Sequence, residues 1–177
     1  GLANQINHLA VKQLAKIARI QQAKLIHIST DYVFDGRSKN PYKETDATNP
    51  INIYGKTKLL GENVIRMIMP IDAVIIRTSW MYSEYGNNFI KTILKLAKQR
   101  EEINVVSDQI GSPTSATDLA KIILDIIQNK EFNNTSQKTQ IYHYSSKGEC
   151  SWYDFAREIV KLSDVKCTIK PIKTDQY

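Results

Sequence analysis

The sequence predicts an α/β fold built on a doubly wound parallel sheet with a small C-terminal region beyond it. Three observations carry that expectation. Hydrophobic period switches repeatedly between strand-like and helix-like along the chain. The strand-like runs are short, apolar and β-branched, as strands buried on both faces are. The helical stretches between them run to about 10–15 residues, the length of a βαβ crossover. With 177 residues, 42% hydrophobic and 24% charged, the balance is that of a folded domain and not of a disordered chain.

Residues 5–20 set Ile6, Leu9, Ala10, Leu14, Ile17 and Ala18 on one helical face, predicted to be the packed one. Residues 24–28 form a β-branched run that ends in Ser29-Thr30-Asp31. The Pro- and Gly-punctuated stretch from Asp35 to Pro50 reads as a long loop. Helix period returns over 54–68, and Ala73–Ile76 reads as a buried strand. An amphipathic helix over 88–98 turns Phe89, Ile93, Leu94 and Ala97 inward. Then follow a strand at 103–106, a helix at 115–128, a strand at 140–144, a helix at 152–162 and a last strand from Ile169.

Composition narrows the function classes. Cys150 and Cys167 lack the paired spacing of a zinc site and are expected to be free thiols. The net charge of +6 is scattered along helices without a run of like charges, which argues against a nucleic-acid partner. No apolar stretch approaches the ~20 residues of a membrane-crossing helix. The expected setting is cytoplasmic.

Ligands of open α/β sheets sit outside the carboxyl ends of the strands. There the sequence places Ser29-Thr30-Asp31, and 24 residues after Thr30 comes Tyr54-Gly55-Lys56-Thr57-Lys58. Residues four apart share a helical face, so the Lys58 ammonium can stand near the Tyr54 phenol. A cation there favours phenolate and lowers a pKa that is normally ~10, and a helix N-terminus acts in the same sense. A Ser/Thr hydroxyl, a tuned tyrosine and a lysine together can polarise a ketone and protonate its oxygen.

These blocks resemble those of the dTDP-4-dehydrorhamnose reductases, members of the extended short-chain dehydrogenase/reductases. The resemblance rests on His27-Ile28-Ser29-Thr30-Asp31-Tyr32-Val33-Phe34-Asp35-Gly36 and Tyr54-Gly55-Lys56-Thr57-Lys58. It continues through Gly61-Glu62, Arg77-Thr78-Ser79-Trp80, Asn87-Asn88-Phe89 and Asp108-Gln109-Ile110-Gly111-Ser112-Pro113-Thr114, in family order. It implies a Rossmann-like sheet, with residues 1–107 belonging to the dinucleotide-binding domain and 108–177 to a substrate-binding region. It implies that Tyr54 protonates a 4-keto oxygen, that Lys58 tunes Tyr54 and holds the nicotinamide ribose, and that Thr30 hydrogen-bonds at the reacting centre. Asp31 and Trp80 would contact a nucleotide sugar, the backbone at Ile28 would border the cofactor, and Asn7 would support the lysine through water. NADPH or NADH is the implied cofactor. Mg2+ is compatible with the resemblance, but no metal ligand is assigned, and a homodimer is compatible too.

One departure stands out. The seven glycines include no Gly-x-Gly-x-x-Gly spacing for a pyrophosphate. The expectation is that the fingerprint lies upstream of Gly1 and that the end of the substrate domain is also absent. Among rival readings, a 4,6-dehydratase needs an Asp-Glu pair where this chain has Asp31-Tyr32. A 4-epimerase fits the Ser-Thr-Asp-Tyr-Val-Phe block less well. The regulatory subunit of a methionine adenosyltransferase, a binding module, also resembles these reductases.

Overall fold

In the computed structural model, residues 1–130, 132–133 and 137–176 are described. The chain opens with α1 (Leu2–Asn4), a π-helical segment (Gln5–Ala10) and α2 (Val11–Ile20). β1 (Leu25–Thr30), a 3-10 turn (Asp31–Val33), α3 (Ile53–Ile68) and β2 (Ala73–Thr78) follow. Next come β3 (Met81–Tyr82), α4 (Phe89–Ala97), β4 (Glu102–Val106), β5 (Ile110–Gly111), β6 (Thr114–Ser115) and α5 (Ala116–Gln128). The last elements are β7 (Gln140–His143), β8 (Cys150–Ser151), α6 (Trp152–Lys161), β9 (Thr168–Ile172) and a terminal 3-10 turn (Thr174–Gln176). No described helix is long and apolar enough to cross a membrane.

The chain divides into two compact units, Gly1–Thr78 with Lys121–Tyr144, and Ser79–Ala120 with the residues from Ser145 on. This corrects the division expected at 107/108. β4 lies before that boundary, yet it pairs in parallel with β9 far beyond it, so the two cannot belong to different units.

The first unit is a parallel sheet of order β1-β2-β7. Every residue of β2 is buried, which is why its sequence is an almost unbroken apolar run. On one face α2 and α3 press Val11, Ala15, Val64, Ile65 and Ile68 against Ala73 and Ile75. Fully burying each of the Val and Ile side chains contributes about 1.5–3 kcal/mol. On the other face, Ile122 and Ile126 of α5 share a cavity with Val74 and Ile76. The α/β architecture with parallel strands is therefore as expected.

The helical face expected to pack over 5–20 does so only in part, through Ala18. Ile6, Leu14 and Ile17 are more than half exposed, while Val11 and Ala15 are buried. The contact face is a row of smaller residues, because α3 approaches too closely for larger ones. A Cβ on Gly61 would collide with the Asn7 carbonyl oxygen.

The second unit holds three two-stranded ladders, β3-β6, β4-β9 and β5-β8. Its core joins Ile93 and Ala97 of α4, Ile103 and Val105 of β4, and Ala156 and Ile159 of α6. Phe89 and Leu94 pack against that cluster, as the amphipathic pattern predicted. Ser151 starts α6 with a reciprocal cap, its side chain and that of Asp154 each accepting from the other's backbone N–H. Cys150 and Cys167 are free thiols.

Candidate active site

The first unit gathers most of the predicted residues at the carboxyl end of β1. Thr30 ends that strand in extended conformation and caps the turn after it, its hydroxyl accepting from Tyr32 N at 3.2 Å. The same hydroxyl donates to Asp31 Oδ1 at 2.9 Å. Burial pushes the Asp31 carboxyl above the usual range, and the Thr30 hydrogen bond opposes that shift.

α3 delivers the other two groups. Asn52 caps it, accepting from Gly55 N at 2.7 Å, so the helix begins beside Tyr54. Gly55 meets the Tyr32 carbonyl so closely that any Cβ would overlap it. That approach brings the Tyr54 ring edge-on to Tyr32, with centroids 5.8 Å apart. Tyr54 keeps 47% of its surface exposed. One turn on, the half-buried Lys58 donates to the Ile28 carbonyl at 2.6 Å. Its pKa is lowered by burial, against the raising effect of Glu62.

Asn7 lies within the π-helical segment, a departure from α-geometry that is frequent at functional sites. Its amide donates to Thr57 Oγ1 at 3.1 Å, and Thr57 donates in turn to the Tyr54 carbonyl at 3.0 Å. Asn7, Ile28, Thr30, Asp31, Tyr54 and Lys58 thus belong to one connected arrangement.

Trp80 belongs to the second unit. Its backbone is left-handed (φ 45°), which a bulky side chain rarely adopts. Three features hold it there. Trp152 stacks on it at 3.4 Å, the Trp80 carbonyl accepts from Thr114 N at 3.2 Å, and Gly111 lies against its indole where a Cβ would come within 2.6 Å of Cζ2. Such strain clusters at ligand sites.

Sequence reasoning gave no role to Glu62, Arg77 and His27. Glu62 is 1% exposed and Arg77 5%, and they form a buried ion pair at 2.7 Å. An arginine inside an otherwise apolar buried strand was the available signal, because a buried guanidinium requires a carboxylate partner. His27 is held at about pKa 4, first by burial and then by the Lys58 charge, against Glu62. Its Nε2 has no partner among the described residues, and neither does the buried Thr78 hydroxyl opposite Thr30. Among the described residues no group of three or more His, Cys, Asp or Glu side chains could hold a metal ion.

The whole chain, residues 1–177, matches the family described as RmlD substrate binding domain. The spore coat polysaccharide biosynthesis protein SpsK of Bacillus subtilis is 46% identical over 155 residues, covering 88% of this chain and 52% of that protein. The dTDP-4-dehydrorhamnose reductase of Escherichia coli K12 is 45% identical over 154 residues, covering 87% and 50%. The crystal structure of the dTDP-4-dehydrorhamnose reductase from Clostridium acetobutylicum superposes with a TM-score of 0.91 at 44% identity, covering 99% of this chain and 60% of that one. The Bacillus anthracis dTDP-4-dehydrorhamnose reductase, solved in complex with NADP, gives 0.88 at 41% identity, covering 97% and 59%. The chain spans about half the length of the curated relatives it matches. By a match along its whole length, it belongs to the RmlD substrate binding domain family.

Proposed function

We propose that this chain carries the proton-donating and sugar-binding groups of an NAD(P)H-dependent reductase that converts dTDP-4-dehydrorhamnose to dTDP-L-rhamnose. The observation that carries the reading is the docking of α3 on the carboxyl end of β1. There Lys58 is bonded to the Ile28 carbonyl, two residues before Thr30, on the helix that presents Tyr54. Relatives at 41–45% identity that bear the reductase name support the choice of reaction.

In this reading Tyr54 gives its phenolic proton to the C4 oxygen as the ketone is reduced. Lys58, one turn away, compensates the charge left on the phenol. Thr30 supplies a hydrogen bond to the same oxygen by redirecting the proton now directed at Asp31. Asp31 and Trp80 are the residues proposed to contact the sugar nucleotide. Asn7, through Thr57 and the Tyr54 carbonyl, steadies the start of α3.

The residues present fit the ribose end of a nicotinamide cofactor. Lys58 directs one N–H at Ile28, which leaves two more for ribose hydroxyls beside the half-exposed Tyr54. A bound reduced nicotinamide would supply hydride to C4, with Ile28, Tyr54 and Lys58 bordering it. The test is NADPH consumption by the full-length protein with the 4-keto rhamnose precursor, followed by identification of the product. Turnover to dTDP-rhamnose supports the reading. No turnover, together with stimulation of a methionine adenosyltransferase, replaces it with the binding-module role.

A further inference from the structure

Glu62 stands one helical turn beyond Lys58 on α3, almost completely buried. Three elements meet at its carboxylate. Oε1 accepts from the Ser29 hydroxyl of β1 and from Arg77 Nε of β2 at 3.0 Å, and Oε2 accepts from Arg77 Nη2 at 2.7 Å. Ser29 and Arg77 are themselves register partners across the β1-β2 ladder. Ser29 is also the single residue between Ile28, whose carbonyl receives Lys58, and Thr30. The carboxylate therefore grips β1 at the position flanked by both of those groups.

Stability alone is a weak reason for this arrangement. Buried ion pairs are often replaced by apolar residues of similar volume with no loss of stability, whereas a bidentate guanidinium–carboxylate contact fixes geometry closely. A second consequence is electrostatic. Burial works against the ammonium of Lys58, and the Glu62 charge works in its favour.

We propose that Glu62, clamped by Arg77 and Ser29, is a positioning residue. It fixes the register of α3 on β1, so that Lys58 meets the Ile28 carbonyl beside Thr30. The clamp acts through Lys58 and touches neither sugar nor cofactor. The proposal rests on the reductase reading for its kinetic consequence, though not for its geometry.

The experiment uses the full-length protein with three variants: Glu62→Gln, Glu62→Met and the paired Glu62→Met/Arg77→Met. Melting temperature, kcat, KM for the sugar nucleotide and a crystal structure are obtained for each that folds. Glu62→Met alone leaves a buried guanidinium unpaired and is expected to melt well below the parent or to fail to fold. The paired variant removes both charges and is expected to melt near the parent, yet with kcat lower by ~10²-fold, the usual scale for a displacement of about 1 Å at a catalytic group. Glu62→Gln, which keeps the shape and one acceptor, is expected to lose kcat by ~10-fold with KM unchanged, since one hydrogen-bonding charge is lost without a cavity. Parental kcat in a folded paired variant overturns the proposal. If the parent itself does not reduce the 4-keto sugar, the reductase reading fails, and the crystal structure still decides the clamp. Loss of the Lys58–Ile28 bond in the paired variant upholds the proposal, and its retention at parental length overturns it.

Discussion

Gly55→Ala should damage the protein although helix propensity says the reverse. Gly55 sits in the first turn of α3, and alanine is favoured over glycine in a helix by ~1 kcal/mol. The added Cβ, however, would stand 2.8 Å from the Tyr32 carbonyl carbon, nearer still to its oxygen, and 3.1 Å from Pro50 Cβ. Ordinary contact begins at about 3.4 Å, so α3 or the turn after β1 must retreat by more than 1 Å. Neither is free to do so. Asn52 caps the Gly55 amide, and Asn49 N is bonded to the Val33 carbonyl at 2.9 Å.

Overpacking of this kind costs ~1–3 kcal/mol against the ~1 kcal/mol propensity gain, leaving a net loss of up to ~2 kcal/mol. Because the displaced atoms adjoin Tyr54, turnover should fall by ~10²-fold. The measurements are thermal melting and NADPH consumption by the full-length protein. Lys56→Ala, at the exposed next position, serves as the comparison and should change neither. A Gly55→Ala protein that melts at or above the parental temperature with parental kcat would refute the close approach of α3 to Tyr32.

Three further outcomes are expected. Tyr54→Phe should lower kcat by at least ~10²-fold, the scale of a lost general acid, while sugar-nucleotide binding by calorimetry changes little. Tyr142→Phe, exposed on β7, is the control, and equal behaviour of the two would remove Tyr54 from its role. Gly111→Ala should push on a Trp80 indole already backed by Trp152, altering tryptophan fluorescence and raising KM more than it lowers kcat; an unchanged KM argues against sugar contact by Trp80. His27 lends the folded state a pH dependence. Its folded pKa of about 4 lies below the ordinary 6.5, so as pH falls from 6.5 towards 4 the unfolded chain takes up a proton that the folded one refuses. At ~1.4 kcal/mol per pH unit, stability should fall by up to ~3 kcal/mol across that window. Denaturant melts of the parent and of His27→Gln should diverge there, and parallel curves would show that His27 is not buried as a neutral ring.

What the sequence disclosed and what it concealed differ in the range of the interaction. The proposed groups Tyr54, Lys58 and Thr30 could be picked out because a Tyr-x-x-x-Lys helix start follows a strand end bearing hydroxyls, within blocks that resemble a known family. Strands and helices were legible because their periods are local. The packed face of the first helix was partly misread for a physical reason. Periodicity weights large apolar residues, while close helix contact selects small ones, so Val11 and Ala15 pack and Ile6, Leu14 and Ile17 do not. Glu62 was invisible for a related reason. Polar residues in a helix read as surface, and only a partner 15 positions away, Arg77, makes burial affordable. Asn7 and Trp80 were named from the resemblance, but their partners Thr57 and Trp152, each at least 50 residues away, were hidden in the same way. The proposed proton-donating groups lie within local patterns of one strand end and one helix turn, whereas the groups that hold them in place are set by contacts that exist only after the chain has folded. Substitutions at Gly55, Glu62 and Gly111 separate the two, since each leaves every proposed ligand-contacting side chain in the sequence and removes only its support.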